Sequence, residues 1–145
     1  MTSRFDHADD SAGFLFWQAS VLWRRKVENT LRPFDLTHMQ FVLLASIGYL
    51  TKHTPWITQN ELAIHTHCDV TMTSQVLRLL EKKGHIFRFT KPGDERAKHP
   101  KLTPKGTQLL KKVLPEVEKT DALFFGKLEK DQKNFIHMLK QLRKV

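Results

Sequence analysis

At 145 residues, 40% hydrophobic and 27% charged, the chain can bury one core, and no apolar run approaches the ~20 residues of a membrane-spanning helix. Its one cysteine, Cys68, excludes an internal disulfide framework, and the polar start from Met1 to Asp10 lacks a signal-peptide pattern, so a reducing, cytoplasmic location is expected. The net charge of +9 points to a polyanionic partner, because lysine and arginine release condensed counterions when they neutralise phosphates.

A first helix is predicted from about Ala12 to Leu31, where Phe14, Trp17, Val21 and Trp23 recur near helical spacing and Pro33 forbids continuation. Thr37-His38-Met39-Gln40 reads as a capping box, in which the Thr hydroxyl and the Gln side chain satisfy each other's free amides. The run Phe41 to Ile47 that follows is apolar nearly all round, as a core helix must be. Gly48 to Pro55 reads as a turn region, and Trp56-Ile57 as a short strand. Thr58-Gln59-Asn60-Glu61 repeats the capping pattern and opens a short helix through Leu62, Ala63 and Ile64.

Asp69 is a predicted N-cap for a helix over Val70–Lys83, closed by Gly84 in the left-handed position. Two short helices joined by His65-Thr66-His67-Cys68 make a helix-turn-helix. His85 to Thr90 is aromatic and β-branched enough for a strand. Pro92-Gly93-Asp94 supplies turn chemistry, and Ala97 to Leu102 is read as the return strand. A hairpin directly behind a recognition helix is a wing. Thr103-Pro104 then starts a long helix, with Pro115 expected to kink or interrupt it. The last helix is amphipathic, with Leu128, Phe135, Met138, Leu139 and Leu142 on one side. The predicted architecture is mainly α, with one small hairpin.

Charge is concentrated rather than spread. Between Val70 and Lys105 nine basic residues face three acidic ones, so six of the nine net charges fall in this stretch. On the wheel of the helix starting at Val70, Thr73, Val76, Leu77 and Leu80 suit the core. Val70, Thr71, Ser74, Gln75 and Arg78 fall opposite, an inventory able to hold phosphates and read base edges in the major groove. Gln75 can pair with an adenine edge, and Arg78 with guanine or phosphate. Behind that helix, Arg88, Lys91, Arg96 and Lys98 on the hairpin are candidates for backbone or minor-groove contact. Asp94 is read as wing-stabilising, bonding turn amides or orienting the arginine.

These residues together resemble the MarR (multiple antibiotic resistance regulator) family. The matching segments are Leu36-Thr37 with Gln40-Phe41, Thr58 to Ala63, Leu79 to Ile86, and Asp94-Glu95-Arg96-Ala97-Lys98 followed by Leu102-Thr103-Pro104-Lys105-Gly106. The most specific part is the Asp-x-Arg wing followed by Leu-Thr-x-x-Gly. The resemblance spans about Phe14 to Leu142. It implies one domain over residues 1–145, with a winged helix-turn-helix lobe at 36–103 and dimerisation helices at 12–34 and 104–145. It further implies a homodimer on palindromic double-stranded operators, usually a repressor released by a small ligand or by oxidation. The chain departs from the family at His99-Pro100-Lys101, where relatives carry an apolar or β-branched run. Pro100 lacks an amide donor, so a shorter or more mobile wing is expected. Val70 and Met72 are more apolar than usual for a recognition helix: a thymine methyl suits Val70, and burial is expected for Met72.

The terminal helices give an independent sign of pairing, since Phe124, Phe125, Leu128, Phe135 and Leu142 would be exposed without a second chain. Trp17, Trp23, Phe34, His38 and Met39 are candidate liners of a small-molecule effector pocket. His65, His67 and Cys68 lack the further ligands a zinc site needs, so neither metal nor cofactor is expected. Cys68 is read as a small turn residue, not a redox sensor. No phosphate loop, nucleophile elbow or acid–base constellation marks an enzyme. Two rival readings are a sequence-indifferent architectural DNA-binding protein and a winged-helix module that meets an acidic protein partner.

Overall fold

The computed structural model describes residues 2–145. Six helices and one hairpin follow in order: α1 (Ala12–Leu31), α2 (His38–Leu50), α3 (Gln59–Thr66), α4 (Val70–Lys82), β1 (Ile86–Lys91), β2 (Asp94–Leu102), α5 (Pro104–Phe125) and α6 (Gln132–Arg143). Short 3-10 turns occupy Ala8–Asp10, Arg32–Phe34 and Gly126–Asp131. The chain divides into two compact units, one comprising the chain up to Thr30 with Glu116–Val145, the other Leu31–Pro115.

The helix starts follow from local side-chain chemistry. Thr37 and Gln40 form the reciprocal capping box of α2. Thr58 Oγ1 accepts from the Glu61 amide at 3.0 Å, and Asp69 Oδ2 from the Met72 amide at 3.0 Å. Each of these satisfies an amide that the first helical turn leaves unpaired. Gly84 closes α4 with φ +83°, a conformation glycine adopts without steric cost.

In the Leu31–Pro115 unit, α2, α3 and α4 pack on one another, β1 lies against α4, and β2 lies against α2 and α3. Leu44, Ile47, Leu62, Leu77, Leu80 and Ile86 are fully or almost fully buried there. Several expectations change. Helix α2 runs through Gly48 to Leu50, so the turn starts later than composition implies. Trp56-Ile57 is not a strand: the sheet has two strands, and Ile57 is instead buried with its carbonyl 2.8 Å from His99 Nδ1. Strand β2 begins at Asp94, not Ala97. Pro100 does not shorten the wing. It pairs in register opposite Arg88, on a strand that is an edge on its other side, and the irregularity falls at Thr90/Lys91.

In the other unit, α1, the second half of α5 and α6 are joined by aromatic and polar contacts. Trp23 Nε1 donates to Asp121 Oδ1 at 2.8 Å, and the Thr30 and Thr120 hydroxyls are 2.6 Å apart. Phe125 lies between Trp23 and Phe135, with ring centroids 6.2 and 5.9 Å away. Phe124, Phe125, Leu128 and Phe135 are therefore half-buried among themselves rather than bare. Leu142 is 77% exposed, as expected, and the other exposed apolar surface is carried by Phe16, Trp17, Leu22 and Leu123. Helix α5 is continuous through Pro115.

The corner where α4, the hairpin and α5 meet is tightly bonded. Thr103 Oγ1 donates to the Gly84 carbonyl at 2.6 Å and accepts from the Gly106 amide at 3.0 Å, while the Thr103 amide donates to the His85 carbonyl at 3.1 Å. Gly106 is buried, and a Cβ at that position would overlap the His85 carbonyl. Gly106→Ala should therefore cost at least about 2 kcal/mol, the scale of overpacking against backbone that cannot step aside. Urea denaturation measures this, and a change below about 0.5 kcal/mol would show that the corner yields.

His85 is buried at the same corner, and burial, followed by the nearby Lys105 and Lys83 charges, holds its imidazole below the ordinary histidine value. The unfolded chain takes up a proton near pH 6.5 that the folded chain resists. This contribution to stability is complete above that pH and lost as pH falls through it. His85→Gln should flatten the loss of stability between about pH 7.5 and 5.5. An NMR titration placing the His85 midpoint at or above that of an unfolded histidine would contradict the assignment.

Candidate nucleic-acid interface

Helix α4 separates two faces. Thr73, Val76, Leu77 and Leu80 are buried, and Thr73 Oγ1 is tied back to the Asp69 carbonyl at 2.8 Å. On the other side Val70, Thr71, Gln75 and Arg78 are exposed and Ser74 is half-exposed. Met72 is 46% exposed, against the expectation of burial: it sits one residue from Thr73, and a helix turning 100° per residue carries it off the core stripe.

Ser74 and Arg78 form one wall of an open polar cleft of about 580 Å³. Arg96 and Lys98 from β2 form another, and Thr58, Gln59 and Asn60 at the start of α3 form a third. Three elements far apart in sequence thus turn hydroxyls, amides and cationic groups toward one concavity. The sequence marks the start of α3 as a cap and a family-matching segment, and the structure adds it to the cleft. Its signal was the Thr58 cap, since a capped helix start also presents free amides and the positive end of a helix dipole.

The hairpin residues do different things. Arg88 is drawn inward, with 12% of its side chain exposed. Its Nη2 lies 3.0 Å from Glu81 Oε1, its Nη1 donates to Gln59 Oε1 at 2.8 Å, and its amide donates to Glu81 Oε2 at 3.2 Å. The hydrogen bond from Arg88 is the largest influence holding the Glu81 carboxyl below its ordinary value, which keeps the pair ionised. Arg88 therefore braces the wing against α3 and α4. Lys91 places its Nζ 4.9 Å from the centre of the Trp56 ring, a cation–π contact at the far end of the hairpin. Asp94 Oδ1 accepts from the Arg96 amide at 3.3 Å, and Gly93 turns the hairpin with φ +87°. Arg96 and Lys98 remain exposed.

Of the candidate effector residues, Trp17 (65% exposed) and Trp23 lie on α1 in one unit, while Phe34, His38 and Met39 lie in the other and are half-buried. His65 stacks on Tyr49. Among the described residues no group of three or more His, Cys, Asp or Glu is placed to hold a metal ion, and no helix is long and apolar enough to cross a membrane.

Comparison with known proteins agrees with this geometry. The model of the MarR family matches residues 36–98. The chain is 44% identical over 142 residues to the HTH-type transcriptional regulator YdcH of Bacillus subtilis (strain 168), covering 98% of this chain and 96% of that one. Among solved structures it is similar to a mutant of MarR from E. coli complexed with operator DNA, at 25% identity and a TM-score of 0.80, covering 91% of this chain and 93% of that one. It is also similar to the Mycobacterium tuberculosis MarR family protein Rv2887 in complex with salicylic acid, at 28% identity and a TM-score of 0.67, covering 91% and 96%. A capped recognition helix, a basic wing and these likenesses leave one conclusion: the chain belongs to the MarR family of DNA-binding transcriptional regulators, which are not enzymes.

Proposed function

We propose that this protein is a sequence-specific, ligand-responsive repressor that acts as a homodimer on palindromic operators in the cytoplasm. The observation that carries the reading is the cleft in which Ser74, Arg78, Arg96 and Lys98 meet the start of α3, beside the exposed outer face of α4. In this reading Thr71, Ser74, Gln75 and Arg78 address the major groove, with Val70 against a thymine methyl. Arg96 and Lys98 meet backbone or minor groove, Lys91 adds charge at the hairpin end, and Asp94 with Arg88 keeps the wing in place. The solved complex of E. coli MarR with operator DNA supports duplex DNA as the partner, and the salicylic acid complex of the mycobacterial relative supports a small-molecule effector.

Pairing is supported by the apolar residues that the unit of α1 and α6 leaves in water. Phe14, Leu15, Phe16, Trp17 and Leu22 on α1 are all more than two-fifths exposed, and contiguous apolar surface of that kind marks an interface. A two-fold dimer sets two recognition helices one helical turn of DNA apart, roughly 34–36 Å. Sedimentation or solution scattering should give twice the monomer mass at micromolar concentration, and a monomer there would refute the dimer.

DNA sites selected from a random duplex pool supply the ligand for the second test. The wild-type protein should prefer a selected site over unrelated duplex by ~10³-fold or more. Arg96→Ala should weaken binding to every duplex and lower the salt slope by about 1, whereas Gln75→Ala should alter base preference with little change in slope. Equal affinity for all duplexes would favour an architectural role. No binding at low ionic strength would leave the protein-interaction reading.

A further inference from the structure

Met72 belongs neither to the cationic cleft nor to the core, yet it stands in the first turn of α4 with 46% of its surface exposed. That turn is the part of a recognition helix that enters the major groove first. Its backbone is held firmly. The Met72 amide donates to Asp69 Oδ2 at 3.0 Å, and Thr73 Oγ1 donates to the Asp69 carbonyl at 2.8 Å. A helix turns about 100° per residue, which sets Met72 about 60° from Gln75 on the wheel and about 160° from Val70. The exposed face of α4 therefore has two flanks. Ser74 and Arg78 line the cleft on one, and Met72 occupies the other, with Gln75 between them.

An exposed methionine on most helices is plain surface. Here both the place and the chemistry are particular. Methionine has no N–H or O–H donor and only a weakly accepting sulfur, so it is unsuited to bonding a base edge or holding a phosphate. What it presents is a flexible, polarisable, apolar end. In the major groove of B-DNA the matching group is the C5 methyl of thymine, since the other base edges show polar donors and acceptors. As i,i+3 neighbours, Met72 and Gln75 have Cβ atoms about 5–6 Å apart, less than two base steps of about 3.4 Å. We propose that Met72 is a specificity-determining residue, reading the C5 methyl of a thymine at or beside the base pair that Gln75 addresses. This rests on the DNA-binding reading above and adds a chemical requirement to it: an apolar group, not a hydrogen-bonding one, at that pair. Val70 lies across the same turn and faces a different pair, so the two contacts are separable.

A site selected from random duplex, with each thymine replaced in turn by deoxyuridine, tests this in a binding titration of the full-length protein. The exchange removes one methyl group and leaves the base pairing and the O4 acceptor in place. At one thymine per half-site the wild-type protein should bind the uracil duplex about fourfold more weakly, the value of one buried methyl. Met72→Ala should bind the thymine and uracil forms of that site equally. Its thermal midpoint should stay within a few degrees of wild type, because the side chain is not in the core. Val70→Ala should keep the uracil penalty at that thymine. Penalties of the same size in Met72→Ala and wild type at every thymine, or none at any thymine in wild type, would overturn the proposal. So would a penalty that disappears in Val70→Ala and persists in Met72→Ala. Failure of the wild-type protein to bind any duplex would instead count against the proposed function.

Discussion

Three hydrogen bonds at Thr103 fix the end of α4, the end of the hairpin and the start of α5 to one another. The hydroxyl donates to the Gly84 carbonyl and accepts from the Gly106 amide, and the Thr103 amide donates to the His85 carbonyl. The first joins the end of β2 to the end of α4, the second caps α5, and the third closes the corner between them. Lys105 adds a fourth tie, donating to the Lys83 carbonyl at 2.8 Å. Each such bond contributes only about 1 kcal/mol net, but all of them depend on the missing side chain at Gly106. The constraint is one of position more than of energy, because it fixes where α4 and the hairpin stand relative to each other.

The brace formed by Glu81, Arg88 and Gln59 extends that constraint along the wing. It makes the Arg88 guanidinium a bonded part of the cleft lining, while the exposed charge there is carried by Arg78, Arg96 and Lys98. Those three act over roughly a Debye length of 8–10 Å at physiological salt. A wing held rigid by one arginine lets another reach outward from a fixed place, with less ordering entropy left to lose on binding.

The helical unit obeys a different logic. Its internal contacts, from the Trp23–Asp121 bond to the Phe125–Phe135 pair, use some of the aromatic surface. Phe16, Trp17, Leu123 and Leu142 stay in water. Within one chain nothing covers these side chains of α1, α5 and α6, and the proposed second subunit supplies the missing cover.

The sequence by itself determined the helix starts, the two faces of α4, the wing turn and the family, because each rests on interactions within about four residues or on side-chain periodicity. The contacts of Thr37 with Gln40, Thr58 with Glu61 and Asp69 with Met72 are of this kind. Only the tertiary structure decided that Trp56-Ile57 serves His99 rather than a strand, that Arg88 braces instead of reaching outward, and that the start of α3 joins the cleft. Gln59 and Arg88 lie 29 residues apart and Ile57 and His99 lie 42 apart, and even Glu81, seven residues from Arg88, meets it only across the turn from α4 into β1. The choice between a phosphate and a carboxylate for a given arginine is made by whichever neighbour the fold brings within 3 Å. The Leu-Thr-x-x-Gly segment was legible as a pattern, but its cause was not: Gly106 is required by a carbonyl twenty-one residues earlier, brought against it by the turn of the hairpin.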